Sequence, residues 1–293
     1  MAGEGKKEPW AYLNGEFLPL SQAHISALDR GFLLGDGLFE TLRSYRGEPF
    51  LLGRHARRLR ASARALNIAG SPRLPKLRKV VKELLVRSGP QDAYIRITLS
   101  RGVGSELGLV ETRSPTLFVF VRPLTPYPRE WYRGGIKVVV SNIRRSAGSP
   151  IWGFKVLSYL ESLWAREEAR KRGAQEAIFL NTSGYLAEGA TSNIFFVQGG
   201  ELLTPALRAN ILPGVTREVI LEICRDQGVP CQEGLFTLED LERADEVFLT
   251  NSLMGVMPVG KVESARFRVS PRTLTSRIAR EYGRLCSGRA SLA

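Results

Sequence analysis

The sequence predicts an α+β protein of two domains, and three observations carry that expectation. Segments with apolar residues at every second position are interspersed with segments whose apolar residues recur every three or four, the periods of strand and helix. A chain of 293 residues suffices for one large domain or two medium ones, long enough to bury a core. Near the middle, Arg122–Trp131 carries Pro123, Pro126 and Pro128, a density that neither a helix nor a central strand accepts. Residues 1–122 are therefore expected to form a small N-terminal domain, 123–134 a linker, and 135–293 a larger C-terminal domain.

In chain order, Trp10–Pro19 reads as a hairpin turning at Asn14-Gly15, a dipeptide that tolerates positive φ. Gly31–Gly37 is a glycine-rich loop, followed by Leu38–Tyr45 as helix or strand. Leu51–Leu66 is helical, with His55, Leu59, Ser62 and Leu66 on one stripe, and Leu74–Val86 is a second amphipathic helix. Ala93–Ser100 and Thr116–Val121 are strands by alternation and β-branching. After the proline-rich stretch, Ile136–Ser141 opens the second half as a strand. Lys155–Arg170 reads as a helix, because Val156, Leu160 and Leu163 lie one turn apart. Ala177–Leu180, Tyr185–Ala187, Asn193–Val197 and Glu201–Thr204 are short strands, Thr216–Gln227 is a helix, and Ser287–Ala293 is expected to fray.

Composition excludes several classes. The hydrophobic fraction of 43% and charged fraction of 24% fit an ordinary globular enzyme. The longest apolar runs, such as Leu117–Val121 and Ile194–Val197, are too short to span a bilayer, and Met1–Glu8 holds no apolar core of a secretory signal. The net charge of +13 concentrates in Arg54–Arg64 and Arg272–Arg289, which read as solvated helix faces. No RNA-recognition signature or zinc finger accompanies it, so neither nucleic acid nor a membrane is the expected partner. Three cysteines, with no CxxC spacing, argue against a disulfide scaffold and fit a reducing cytoplasm. Only His24 and His55 are present, too few for a histidine zinc site, and no GxSxG elbow exists. Lysine, carboxylate or a cofactor must then carry any chemistry.

Four features answer that requirement. Lys155 sits in the apolar Ile151–Leu157, where desolvation lowers an amine's pKa and frees it to attack a carbonyl. Glu188 lies in a small-residue turn between two predicted strands, where a carboxylate can hold a protonated ring nitrogen. Pro213-Gly214 precedes a helix whose first turn holds Val215 and Thr216, an arrangement that binds phosphate. His55-Ala-Arg-Arg58-Leu offers an arginine to the same phosphate, and spacing alone does not choose among Arg57, Arg58 and Arg60. An aldehyde, a ring nitrogen and a phosphate together describe pyridoxal 5′-phosphate.

The chain resembles the class IV aminotransferases, the fold-type IV enzymes that use this cofactor. The resemblance runs from about Tyr12 to about Val262. It is strongest in Glu188–Phe195, Leu202–Thr204 and Leu212–Arg217, with Asp29–Glu40 and His55–Leu59 in support. The resemblance implies a small α/β domain, a barrel-like C-terminal domain and a homodimer. It implies Lys155 as the Schiff-base lysine, Tyr159 as the partner of the phenolic oxygen and Glu188 as the partner of the ring nitrogen. Arg58, Val215, Thr216 and Ser252 become phosphate contacts. Thr41, Arg96, Arg101 and Asn251 become substrate contacts, Arg101 as a carboxylate trap that would favour D-amino acids.

The implied reaction moves an amino group between an amino acid or primary amine and a 2-keto acid. The alternative is 4-amino-4-deoxychorismate lyase, to which Thr41 and Thr250–Val259 lean. A binding module without catalysis is the remaining alternative, which Lys155 and Glu188 oppose.

Overall fold

The computed structural model describes residues 8–89, 91–110 and 114–288. Residues 289–293, part of the expected frayed end, lie outside the described residues. The chain divides into two compact units, Met1–Thr125 with Lys155–Ser158, and Pro126–Phe154 with Tyr159–Ala293.

In the first unit, Asn14 and Gly15 adopt φ of 50° and 125°, which folds β1 (Trp10–Leu13) back on β2 (Glu16–Pro19). Asp29 then caps a one-turn helix α1 (Arg30–Leu34), accepting from the Gly31 N–H at 2.7 Å, and Gly35 ends it in the left-handed region. The stretch read as a glycine-rich loop therefore contains a helical turn. The remaining elements are β3 (Gly37–Tyr45), β4 (Glu48–Pro49), α2 (Leu52–Ala65), α3 (Leu74–Ser88), β5 (Ala93–Ser100) and β6 (Thr116–Pro123). The six strands make an antiparallel sheet in the order β2-β1-β6-β5-β3-β4. Its core face presents Leu38, Leu42, Ile95, Ile97, Val119 and Val121, all buried. Helix α2 packs there through His55, Ala56, Leu59 and Ala63, and α3 through Leu77, Val80, Val81 and Leu84. Arg57, Arg60 and Arg64 of α2 stay exposed, so this part of the basic surplus is a solvated helix face.

Lys155–Leu157 belongs to this unit, and here the sequence expectation is corrected. The segment is extended. The Phe39 N–H donates to the Lys155 carbonyl at 2.8 Å and the Leu157 N–H to the Gly37 carbonyl at 2.9 Å, with Leu38 and Val156 bridged antiparallel. The helix begins only at Leu160 (α5, Leu160–Lys171). The helical stripe was misleading because Leu160 and Leu163 are 74% and 56% exposed, while α5 buries Ser162, Ala165 and Ala169.

The second unit starts with α4 (Arg129–Gly134), so the segment expected as linker holds a short helix after its prolines. With α5 it comprises β7 (Ile136–Arg145), β8 (Glu176–Asn181), β9 (Leu186–Gly189), β10 (Asn193–Gln198), β11 (Glu201–Pro205), α6 (Val215–Asp226), β12 (Cys231–Gly234), α7 (Leu238–Glu242), β13 (Glu246–Asn251), β14 (Gly255–Val262), β15 (Ala265–Arg266) and α8 (Leu274–Cys286). Nine strands form one mixed sheet in the order β12-β11-β10-β13-β14-β7-β8-β9, with β15 on β14. Strand β7 runs parallel to β8 and β14, and β11 parallel to β12. The sheet curls until β9 also lies beside β10 and β11. Both faces of β8 are covered. Ile178 and Leu180 join one core with Ile194, Phe196, Leu249 and Val259, whereas Ala177 and Phe179 join another with Ala165, Ala169 and Ile211. Double burial is why this strand reads as a continuous apolar run.

Gly37 pairs with Ser100 at the point where Leu157 docks, and a Cβ there would lie 2.6 Å from Leu157 Cδ1 and 2.8 Å from the Leu99 carbonyl. Gly37→Ala is expected to cost about 1–3 kcal/mol of stability through overpacking. Urea unfolding checks this; an unchanged midpoint would show that this edge yields freely.

Candidate active site

In the first unit the functional side chains divide between the two faces of β3, as its period of two requires. On the open face, Phe39 is the shared floor. The Lys155 ammonium lies 4.3 Å from its ring centroid and the Arg96 guanidinium 3.6 Å. Thr41 pairs directly across the sheet with Arg96, so both side chains rise from this face, and Arg96 Nε donates to Thr98 Oγ1 at 3.3 Å.

On the core face, Glu40 is fully enclosed and binds two partners from α2. Arg58 grips it bidentately, Nε to Oε1 at 2.8 Å and Nη2 to Oε2 at 2.6 Å, and His55 Nδ1 lies 2.7 Å from Oε2. Burial raises a carboxyl pKa, but the Arg58 charge and the hydrogen bonds from Arg58 and His55 outweigh it and hold Glu40 at about 2. His55 is pushed below its ordinary range by burial, with the Arg58 and Lys155 charges adding to that effect against the pull of Glu40. Its neutral ring therefore carries the proton on Nδ1 and donates it to Glu40. Arg58 is thus held in one orientation from behind.

Arg101, expected to meet a substrate carboxylate, is engaged within the first unit. It is fully buried, and donates from Nε to Asp36 Oδ2 at 2.8 Å, from Nη1 to the Asn67 and Val110 carbonyls at 2.7 and 2.9 Å, and from Nη2 to the Leu66 carbonyl at 2.9 Å. A guanidinium so engaged organises the loop and offers no edge to a substrate.

In the second unit, Glu188 projects from the wholly buried β9. Its Oε1 accepts from Arg145 Nη1. Its Oε2 accepts from Asn193 Nδ2 at 2.8 Å and the Leu212 N–H at 3.1 Å. The Arg145 guanidinium lies against Trp152 and Phe179, 4.6 and 4.4 Å from their centroids. Arg145 escaped the sequence reading. The one available signal was a charged pair closing the apolar strand Ile136–Val140, but a register irregularity between Val140 and Arg144 breaks the alternation that would have aimed it inward.

Tyr159 immediately precedes α5 and donates to the Ala190 carbonyl at 3.1 Å. Burial, with the Glu176 and Glu188 carboxylates, pushes its phenol up to about 12, so it remains a donor at neutral pH. Glu176 ties down the same turn by accepting from Thr191 Oγ1 at 2.6 Å. The first turn of α6 has no side-chain cap, and Val215 and Thr216 are buried. Gly214 makes this approach possible, since a Cβ there would lie 1.9 Å from Asn193 Oδ1. Asn251, expected to touch substrate, shapes the turn around Ser252. Its Oδ1 accepts from the Leu253 and Met254 N–H groups, each at 2.9 Å, and its Nδ2 donates to the Thr191 carbonyl at 3.2 Å.

The first unit offers an amine and an oriented guanidinium; the second offers a firmly held carboxylate, a protonated phenol and an uncapped helix N-terminus. Each is a donor type that an aldehyde-bearing, phosphorylated pyridine requires. Among the described residues, no cluster of three metal-binding side chains occurs, and no helix is long and apolar enough to cross a membrane.

Comparison with known proteins agrees with the donor set. Residues 37–262 match the family model described as amino-transferase class IV. A Methanocaldococcus jannaschii protein provisionally named a branched-chain-amino-acid aminotransferase is 37% identical over 86% of this chain and 87% of its own length. The aminodeoxychorismate lyase of Bacillus subtilis is 33% identical over 92% of each chain. Among solved structures, a T.th. branched-chain amino acid aminotransferase complexed with N-(5′-phosphopyridoxyl)-L-glutamate superposes with a TM-score of 0.88 at 28% identity, covering 97% of this chain and 96% of its own.

Because Glu40 and His55 both release protons more readily folded than unfolded, acid costs stability in two windows. His55 contributes above about 6.5 and is lost as pH falls through its lower folded value. Glu40 contributes above 4.5 and is lost as pH falls towards about 2. Glu40→Gln is expected to remove about 3 kcal/mol of the loss below pH 4.5. Urea titrations of wild type and variant across this range check it; parallel curves would show that Glu40 is not the group responsible.

Proposed function

The chain belongs to the class IV amino-transferase family, and on that premise we propose that it transfers the amino group of an L-amino acid with an apolar, branched side chain to a 2-keto acid. It is a pyridoxal 5′-phosphate enzyme of fold type IV. The bound cofactor supplies an aldehyde to take up the amine and a ring that withdraws electrons when the α-proton leaves.

The remaining work falls to the chain. Lys155 Nζ would hold the cofactor by its aldehyde and, as a free amine, would carry the α-proton. Glu188, held by Arg145, Asn193 and the Leu212 N–H, keeps a proton on the ring nitrogen. Tyr159 would offer the cofactor's ring oxygen the phenol proton that it otherwise gives to the Ala190 carbonyl. In the first unit Arg58, oriented by Glu40, would hold the phosphate bidentately, and in the second the Val215 and Thr216 N–H groups and Ser252 are its candidate donors.

One observation supports an amino-acid substrate: Lys155 and Arg96 lie against the same Phe39 ring at 4.3 and 3.6 Å, which puts the proton carrier beside a cation for a carboxylate. The branched, apolar side chain and the L-configuration are taken from the branched-chain-amino-acid aminotransferases that this chain resembles. The engagement of Arg101 with Asp36 and backbone carbonyls supports L- over D-amino acids, since a trap for the latter would need that guanidinium. A second reading, aminodeoxychorismate lyase, draws on Thr41, whose hydroxyl-bearing side chain rises opposite Arg96, and on the Bacillus subtilis relative.

We also infer a homodimer. Phe32, Leu33, Leu34 and Leu107 of the first unit and Leu160, Leu163 and Trp164 of the second are large apolar side chains left exposed. A cytoplasmic location fits three free thiols.

With L-leucine or L-glutamate alone, the cofactor absorption of the purified enzyme is expected to convert to the pyridoxamine form, whereas D-alanine and (R)-1-phenylethylamine leave it unchanged. An inert spectrum with all four, and pyruvate released from aminodeoxychorismate, would carry the lyase reading instead. Lys155→Ala is expected to lower turnover by at least about 10²–10⁴-fold. Phe32→Asp with Trp164→Asp is expected to shift sedimentation from dimer to monomer; an unshifted dimer would place the interface elsewhere.

A further inference from the structure

The C-terminal end of α6 holds a pair of thiols that the reaction does not use. Cys224 is fully buried on the helix, and Cys231, the first residue of β12, is exposed. Gly228, at a φ of 63°, reverses the chain between them. The Val229 N–H then donates to the Cys224 carbonyl at 2.8 Å, and the Leu202 N–H to the Pro230 carbonyl at 2.9 Å lays the returning segment along β11. In extended backbone, residue 231 points to the same side as residue 229. Glu233, two residues further along β12, accepts from Arg217 Nη2 of α6, so the side chains on this side of the strand, Cys231 among them, turn towards the helix that carries Cys224. The third cysteine, Cys286, ends α8.

We propose that Cys224 and Cys231 form a reversible dithiol–disulfide site that exchanges with low-molecular-weight disulfides. The two residues have different parts. Cys231, exposed at the start of β12, is the thiol a solution disulfide can reach, and the neighbouring Cys224 pulls it towards the thiolate against burial and the Glu233 and Glu201 charges. Cys224, fully buried on α6, is out of reach of such a disulfide, which suits a resolving rather than an attacking role. The Cys231 thiolate attacks one sulfur of the small disulfide, forming a mixed disulfide and expelling one small thiolate. Cys224 then yields its proton to solvent and attacks the Cys231 sulfur, expelling the second. The protein loses two electrons and the small disulfide gains them as two thiols. The closed form ties the last turn of α6, whose first turn carries Val215 and Thr216, to β12.

The test uses the purified holoenzyme and oxidised glutathione. After incubation, the protein is unfolded, alkylated and mapped by peptide mass. Cys224 and Cys231 are expected to disappear together from the alkylated pool and to reappear as one linked peptide, with Cys286 still alkylated and dithiothreitol restoring all three. Cys224→Ser is expected to stop at a stable glutathione adduct on Cys231, and Cys224→Ala serves the same arm if the serine variant folds poorly. Cys231→Ser is expected to leave Cys224 unmodified. A wild-type protein that stops at the adduct, or that links Cys286, would overturn the proposal.

Discussion

A carboxylate withdrawn from water must be met by N–H or O–H donors, or its burial costs several kcal/mol. That constraint recurs throughout this protein. Glu40 is met by Arg58 and His55, Glu188 by Arg145, Asn193 and the Leu212 N–H. Asp36 is met by Arg101 and Arg30; burial opposes its charge, yet their hydrogen bonds pull it below the usual carboxylate range. Glu246 is met by the first N–H groups of α8 at Leu274 and Thr275, a helix N-terminus used as an internal anion site. Each meeting joins elements distant in sequence, so satisfying the charge also fixes their positions.

The arginines accordingly serve two populations. Those on the outer side of α2 face solvent, whereas Arg58 and Arg101 point inward as multidentate donors and Arg145 points inward to Glu188. The guanidinium suits this because it stays charged and offers several donors in a fixed plane, and it stacks on aromatic rings as Arg145 does on Trp152 and Phe179. Removing a single partner would leave its carboxylate buried with fewer donors.

Strand β3 shows how one short segment serves packing and chemistry together. Its inward face carries Leu38, Glu40 and Leu42, its outward face Phe39 and Thr41, and its edge receives Lys155–Leu157 through backbone hydrogen bonds. The amine is therefore positioned by sheet geometry rather than by a helix. A strand edge sets side-chain direction residue by residue, so Lys155 shares the face of Phe39 while Val156 turns towards Leu38.

Local periodicity determined most of the elements. The Asn14-Gly15 hairpin, α2 with buried His55 and Leu59, and strands β5 and β6 follow from side-chain spacing and turn chemistry, which act within a few residues. The motifs around Lys155, Glu188 and Val215–Thr216 were equally legible, because the residue types state the chemistry. Tertiary structure alone decided how each side chain is spent. Val156, Leu160 and Leu163 keep helical spacing, yet Lys155–Leu157 pairs with β3, because open backbone groups on a strand edge outweigh a weak helical stripe. Arg96 and Arg101 are similar on the page, but one lies over Phe39 and the other is consumed by Asp36 and three carbonyls. Arg145 carried only the faint signal of a charged pair ending an apolar strand, since a register irregularity in β7–β8 breaks the alternation before it and its charge acquires meaning only where solvent is excluded.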